Sequence, residues 1–149
     1  MPNTYKDFFL KDVTRISHLW DGKDPVRPHL NSIFKSSSYR RVISLTDSTR
    51  FCAAFICIAT TSDIPRDEDE LEKFSCKDGG FVIPYSVWSM KRGAGKEIVK
   101  RLVEKNALEV TPKRIITLSP TTSLARRFHI KNGAIELRVN SSSVNFEYK

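Results

Sequence analysis

Residues 91–97, Lys-Arg-Gly-Ala-Gly-Lys-Glu, hold the first recognisable chemistry in this chain. Gly93 and Gly95 stand between a β-branched apolar run and a stretch with helical periodicity, so the segment reads as strand, turn and helix start. Glycine lets the backbone approach a ligand closely, and the first N–H groups of a helix have no internal partners, so such a turn can hold phosphate. Lys91, Arg92 and Lys96 add positive charge there, beside Ala94 at the helix start. A merely structural turn has the same local sequence, so the rest of the chain must decide.

Charge points to the same place. The chain has 149 residues and a formal net charge of +8. Residues 91–138 hold twelve Lys and Arg against the four acids Glu97, Glu104, Glu109 and Glu136, so this stretch accounts for the whole excess. An anionic partner suits it: a nucleotide-type cofactor, a nucleic acid or an acidic surface. Taken singly, Lys100, Arg101 and Lys105 also suit a solvated helix face. The basic residues crowd the glycine turn without interleaved exposed aromatics, which speaks against nucleic acid.

The length fits one domain, residues 1–149. The longest apolar run, Phe51 to Ala59, is far short of the ~20 residues that span a bilayer, so no membrane partner is expected. Met1-Pro2-Asn3-Thr4 does not open a targeting segment. Cys52, Cys57 and Cys76 lack C-x-x-C spacing, and free thiols in a reducing cytoplasm are the reading. The acidic run Asp67 to Glu72 has no histidine or further carboxylate placed to complete a shell, so no metal is expected. His18 and His29 have no motif around them and read as structural.

The elements that must position the turn follow from periodicity. Residues 12–36 read as one or two short helices broken at Pro25 and Pro28, with Asp12 as an N-cap. Tyr39 to Leu45 and Arg50 to Thr60 read as a hairpin of strands, the second apolar enough to be central. The acidic run opens a short helix or coats a loop. Gly80 to Met90 is a third strand, and Pro84 within it implies an edge, a bulge or a splayed position beside the glycine turn. Ala94 to Leu108 has apolar residues at Ile98, Val99, Leu102 and Val103, an amphipathic helix ended by Pro112. A short strand at Arg114 to Leu118, a helix from Thr121 to Ile130 capped by Thr121 or Thr122 and stopped at Gly133, and a final hairpin at 135–140 and 144–148 complete the order β-β-β-α-β-α-β-β. That order implies an α+β fold, a mixed and mostly antiparallel sheet with helices packed on it.

This order, with a basic glycine turn after the third strand, resembles the GNAT superfamily of acyl-CoA enzymes. Its phosphate motif, Arg or Gln, two residues, Gly, one residue, then Gly or Ala, is followed by Arg92-Gly93-Ala94-Gly95-Lys96, with Glu97 where Gly or Ala is expected. A carboxylate beside a pyrophosphate repels it unless it points away. The second signature, Ala, two residues, an aliphatic or aromatic residue, Tyr, and Gly four residues on, meets Ala125-Arg126-Arg127-Phe128-His129-Ile130-Lys131-Asn132-Gly133. His129 takes the slot of the tyrosine that protonates the departing thiolate in many acetyltransferases.

The last third resembles more closely the catalytic domain of malonyl-CoA decarboxylase, itself GNAT-folded. The matching segments are Tyr85-Ser86, Thr117-Leu118-Ser119-Pro120, Arg127 to Ala134, and Val144 to Tyr148. The resemblance implies that Ser119 and His129 are the catalytic serine and histidine. Those decarboxylases carry a helical N-terminal domain and a long insertion between the two segments, whereas only Thr121 to Phe128 separate Pro120 from His129 here.

The resemblance implies an acetyl-CoA or malonyl-CoA thioester as ligand, with Lys91 to Lys96 at its pyrophosphate and Tyr85, Ser86, Val87 and Trp88 along its pantetheine. A strand N–H would polarise the thioester carbonyl. The leading expectation is acyl transfer to an amine acceptor, with His129, at an ordinary pKa near ~6.5, protonating the leaving sulfur. The alternative is decarboxylation of malonyl-CoA, with His129 delivering a proton to the carbanion and Ser119 holding the carboxylate. Without the motifs, His129 reads as a packed or surface histidine at a helix end and Ser119 as the cap of the following helix. A third reading is an inactive basic binding module. The acceptor is open, and the chain is expected as a monomer or homodimer.

Overall fold

The computed structural model describes residues 4–149. Seven strands form one sheet: β1 (Phe9–Asp12), β2 (Arg40–Thr46), β3 (Cys52–Thr61), β4 (Phe81–Ser89), β5 (Arg114–Ile116), β6 (Ile135–Val139) and β7 (Val144–Tyr148). Their spatial order is β1-β2-β3-β4-β5-β7-β6, antiparallel throughout except between β4 and β5. The expected mixed, mostly antiparallel α+β architecture is the one observed. Four helices lie against the sheet: α1 (Ser32–Ser36), α2 (Glu68–Phe74), α3 (Ala94–Ala107) and α4 (Ser123–Lys131).

The near-continuous apolar run of β3 places it inside the sheet, buried on both faces. Alternation sends Ala54 and Ile56 to one face and Phe55, Cys57 and Ala59 to the other. The first face packs on Ala94, Ile98, Val99 and Leu102 of α3, the helix whose apolar stripe the sequence displays. The second face packs on Leu71 of α2 and on Val13 and Trp20 from the N-terminal segment. Thr122 caps α4 by accepting from the Ala125 N–H at 3.2 Å, and Gly133, at φ 95°, ends it.

Two short helical pieces flank Pro25 and Pro28, as expected, and only the N-cap expectation is corrected. Residues 12–36 contain a 3-10 turn at Ser17–Leu19 and only the single turn-and-a-half of α1, whose N-cap is Asn31. Asp12 ends β1 instead of capping a helix: its carboxylate accepts from the backbone and hydroxyl of Thr14 and faces Arg41 at 3.4 Å. A four-residue strand on the sheet edge, mostly exposed, shows no alternation to read.

One irregularity shapes the site. The β3–β4 register moves from Cys57↔Ser86 to Ile58↔Pro84, so Tyr85 is an inserted residue. The bulge explains how Tyr85 and Trp88, at odd spacing, both pack in the same layer. Beyond it β4 and β5 part. Their last link is the Leu118 N–H to the Pro84 carbonyl at 2.9 Å, after which Ser119 exchanges both backbone bonds with Val144 at 3.0 and 2.9 Å.

Candidate active site

A cavity of about 540 Å³ opens where β4 and β5 diverge, within the size range of small-molecule sites. Of the residues singled out from sequence, Tyr85, Ser86, Val87, Gly95, Ser119 and His129 line it. The segment carrying Lys91, Arg92, Gly93, Ala94 and Lys96 joins two lining residues, Ser89 and Gly95. Trp88 does not line the cavity: it stacks on Phe55 with ring centroids 5.2 Å apart. No Asp, Glu, Lys or Arg is among the lining residues.

Backbone direction supplies a donor. The Met90 N–H donates to the Ala53 carbonyl at 2.7 Å, toward β3. Alternation turns the Trp88 N–H the same way and the Val87 N–H toward the gap left by β5.

The glycine turn is built as a close approach. Gly93 holds φ 80°, the left-handed region that favours glycine, at the N-cap of α3. The Gly95 N–H donates to Ser89 Oγ at 2.9 Å. A Cβ on Gly95 would sit 2.8 Å from that oxygen and 3.6 Å from Phe128 of α4, so only glycine lets the helix start come this near the cavity wall. Glu97 is paired along its own helix. Its carboxylate pairs with Arg101 at 2.8 Å, and Arg101 also donates to the carbonyls of Tyr5 and Phe8. The repulsion expected from this residue is therefore answered within α3. The N-terminal segment backs the turn, with the Tyr5 hydroxyl donating to the Arg92 carbonyl.

His129 is 8% exposed, stacked on Phe146 and edge-on to Phe128. Its Nδ1 lies 2.7 Å from the Tyr148 hydroxyl. With that hydroxyl donating to Nδ1, the ring hydrogen sits on Nε2, the nitrogen left without a partner among the described residues. Burial pushes the His129 pKa down to about 4, so the ring is neutral at pH 7. This corrects the expectation of an ordinary histidine poised near neutrality. Ser119 is 2% exposed, with its hydroxyl 2.7 Å from that of Thr117, which also accepts from the Phe146 N–H. Since Thr122 is the α4 cap, Ser119 is not held there by capping.

Sequence reasoning missed Tyr148, although Phe146 and Tyr148 alternate on β7 and so share the face that meets α4. It also missed Arg27, Asp24 and Lys35. Asp24 and Lys35 form an ion pair at 3.0 Å with side chains 1% and 2% exposed, and Lys35 lies 5.7 Å from the Trp88 ring. Asp24 Oδ1 accepts from the N–H groups of Val26 and Arg27 at 2.8 and 3.0 Å, which sets the loop whose Pro25 and Val26 wall the cavity. Asp24 before Pro25 is a turn signal, but nothing in the sequence pairs it with Lys35.

This fold recurs in solved structures. Malonyl-CoA decarboxylase from Rhodopseudomonas palustris matches with a TM-score of 0.72 at 15% identity, over 97% of this chain and 60% of that one. The chain has the GNAT fold. The GphF GNAT-like decarboxylase in complex with isobutyryl-CoA matches the GNAT core here with a TM-score of 0.70 at 8% identity, over 94% of this chain and 98% of that one. NAA60 of Arabidopsis thaliana, in complex with acetyl-CoA, matches with a TM-score of 0.59 at 11% identity, over 95% and 97%. This GNAT-fold chain spans about three fifths of the length of the decarboxylases from R. palustris and Cupriavidus metallidurans. No family model and no curated protein sequence matches it.

Proposed function

We propose that the chain acts as one acyl-CoA-binding domain that decarboxylates a malonyl-type thioester. The observation that carries this reading is a cavity without charged side chains that holds Ser119 and a neutral His129 together. In the proposal the Lys91–Lys96 turn takes the pyrophosphate, the β4 arm from Tyr85 to Trp88 runs beside the pantetheine, and the Val87 N–H meets the thioester oxygen. The C–C bond to the carboxylate breaks, carbon dioxide leaves, and the electron pair moves into an enolate held by that N–H. Nε2 of His129 then gives its proton to the α-carbon while Tyr148 passes one to Nδ1. A proton from solvent then reloads Nε2 while Nδ1 returns its proton to Tyr148, which restores the starting state. Ser119 and the neutral ring orient the carboxylate without a cation that would hold it in the ground state. Decarboxylation also fits the lining chemically: an amine acceptor must shed a proton, and no carboxylate faces the cavity to attract or deprotonate it.

Acyl transfer to an amine stands second, favoured by the Nε2 hydrogen, which suits protonation of a leaving thiolate. A cytoplasmic setting is part of the proposal, supported by three free cysteines and by the lack of any described helix long and apolar enough to cross a membrane.

The test is incubation with malonyl-CoA in heavy water without acceptor, followed by mass spectrometry. Acetyl-CoA bearing one deuterium, made by the wild type and not by His129→Gln or Ser119→Ala, supports the reading. Malonyl-CoA left intact by a protein that binds CoA overturns it in favour of transfer or a binding module.

A further inference from the structure

Where β4 and β5 part, the Tyr85 and Leu118 carbonyls lose the partners a continued ladder would give. One side chain takes both. Arg27 Nε donates to the Tyr85 carbonyl at 2.7 Å and Nη2 to the Leu118 carbonyl at 2.8 Å. Its Nη1 pairs with the carboxylate of Glu68 at the start of α2, a residue that also meets His29 at 2.8 Å. The Arg27 side chain is 11% exposed, so this is an inward-facing fork with its donors engaged and its charge answered.

We propose that Arg27 is a positioning residue that sets the width of the split. Tyr85 is the inserted residue of the bulge and lies two positions before Val87, and Leu118 lies one before Ser119. Holding these two carbonyls on one planar guanidinium fixes the Val87 N–H and the Ser119 hydroxyl relative to each other. An ammonium is a point charge on a flexible stem and cannot span both carbonyls and a carboxylate in a fixed plane, so Lys is not an equivalent. Asp24 presets the fork by binding the Arg27 N–H, and the buried Lys35 anchors Asp24. The catalytic consequence rests on the decarboxylation reading, whereas the bracing of the two arms does not.

Arg27→Ala, Arg27→Lys and Glu68→Gln are compared with the wild type in malonyl-CoA turnover, CoA affinity by calorimetry, and amide exchange across 85–89 and 117–119. Misplacement of reacting groups predicts a kcat loss of about 10- to 100-fold in Arg27→Ala, partly recovered by added guanidinium ion, with CoA affinity within about twofold. Arg27→Lys falls between, and Glu68→Gln, which keeps both carbonyl bonds, stays within about threefold of the wild type. Faster exchange in Arg27→Ala is expected in those two segments and not along α3. An unchanged kcat, or exchange unaltered at both segments, overturns the clamp. If Arg27→Ala fails to fold, Arg27→Lys decides by the same readouts. A wild type that decarboxylates nothing refutes the reaction, and amide exchange then judges the clamp alone.

Discussion

The neutral state of His129 predicts a specific acid sensitivity. In the folded chain burial holds its pKa at about 4, whereas the unfolded chain returns it to ~6.5. Between those values the unfolded state binds a proton that the native state does not, so stability falls as pH falls from about 6.5 toward 4 and is fully present above that window. At ~1.4 kcal/mol per unit, the separation amounts to on the order of 3 kcal/mol. Asp24, Asp47, Glu70 and Glu147 also have lowered pKa values, and they remove stability at still lower pH. Subtracting a His129→Gln variant isolates the histidine. Urea unfolding at intervals from pH 4.5 to 7.5 should give the wild type a steeper loss by roughly 1 kcal/mol per unit, with NMR titration of the ring as the direct check. Turnover should stay level through the same window where the fold persists, because the working ring is already neutral. A ring midpoint between 6 and 7, or parallel stability profiles for the two proteins, would refute the reasoning.

Two further substitutions probe the supports. Gly95→Ala drives a Cβ to 2.8 Å from Ser89 Oγ, and the shift it forces in the helix start should weaken CoA binding by about tenfold in calorimetry; adding Ser89→Ala should return part of it. Lys35→Met leaves Asp24 charged and buried without its cation, at a cost of ~3–5 kcal/mol in urea unfolding, and Asp24→Asn in the same chain should recover most of that.

What could be read from sequence and what could not divide along physical lines. The apolar period of β3, the stripe of α3 and the stop at Gly133 are local patterns enforced by a long contiguous core, and they placed the central strands and both later helices within a few residues. Pro84 announced an irregularity, since it cannot donate to a ladder, and the observed break is the Tyr85 bulge one residue on. The segment 12–36 showed its breaks at the prolines but not its contacts, because its scattered apolar residues have no period: Trp20 is held by its Nε1–H on the Val13 carbonyl, and Lys35 by an acid eleven residues earlier. At the cavity the sequence offers residue types but not their states. The Tyr148 contact and the burial that keeps His129 neutral arise from the packing of α4 on β7, and Arg27 meets carbonyls 58 and 91 residues away.

Charge separation within the cleft gives these parts a common logic. The basic turn lies at one end, where Lys91, Arg92 and Lys96 are exposed, while the cavity beyond Gly95 is lined without a single ionised side chain. On the decarboxylation reading, a malonyl thioester spanning the two would gain attraction at its phosphates and lose hydration at its carboxylate. The first would offset the second, and the loss would be relieved as carbon dioxide leaves and the charge moves to an oxygen facing the Val87 N–H. A cation in the cavity would cancel that difference by stabilising the carboxylate before it reacts, and the buried cations nearby are engaged elsewhere. Lys35 is paired with Asp24, and Arg27 divides its donors among two carbonyls and Glu68. The protein therefore keeps positive charge close enough to brace the site and fully committed to other partners.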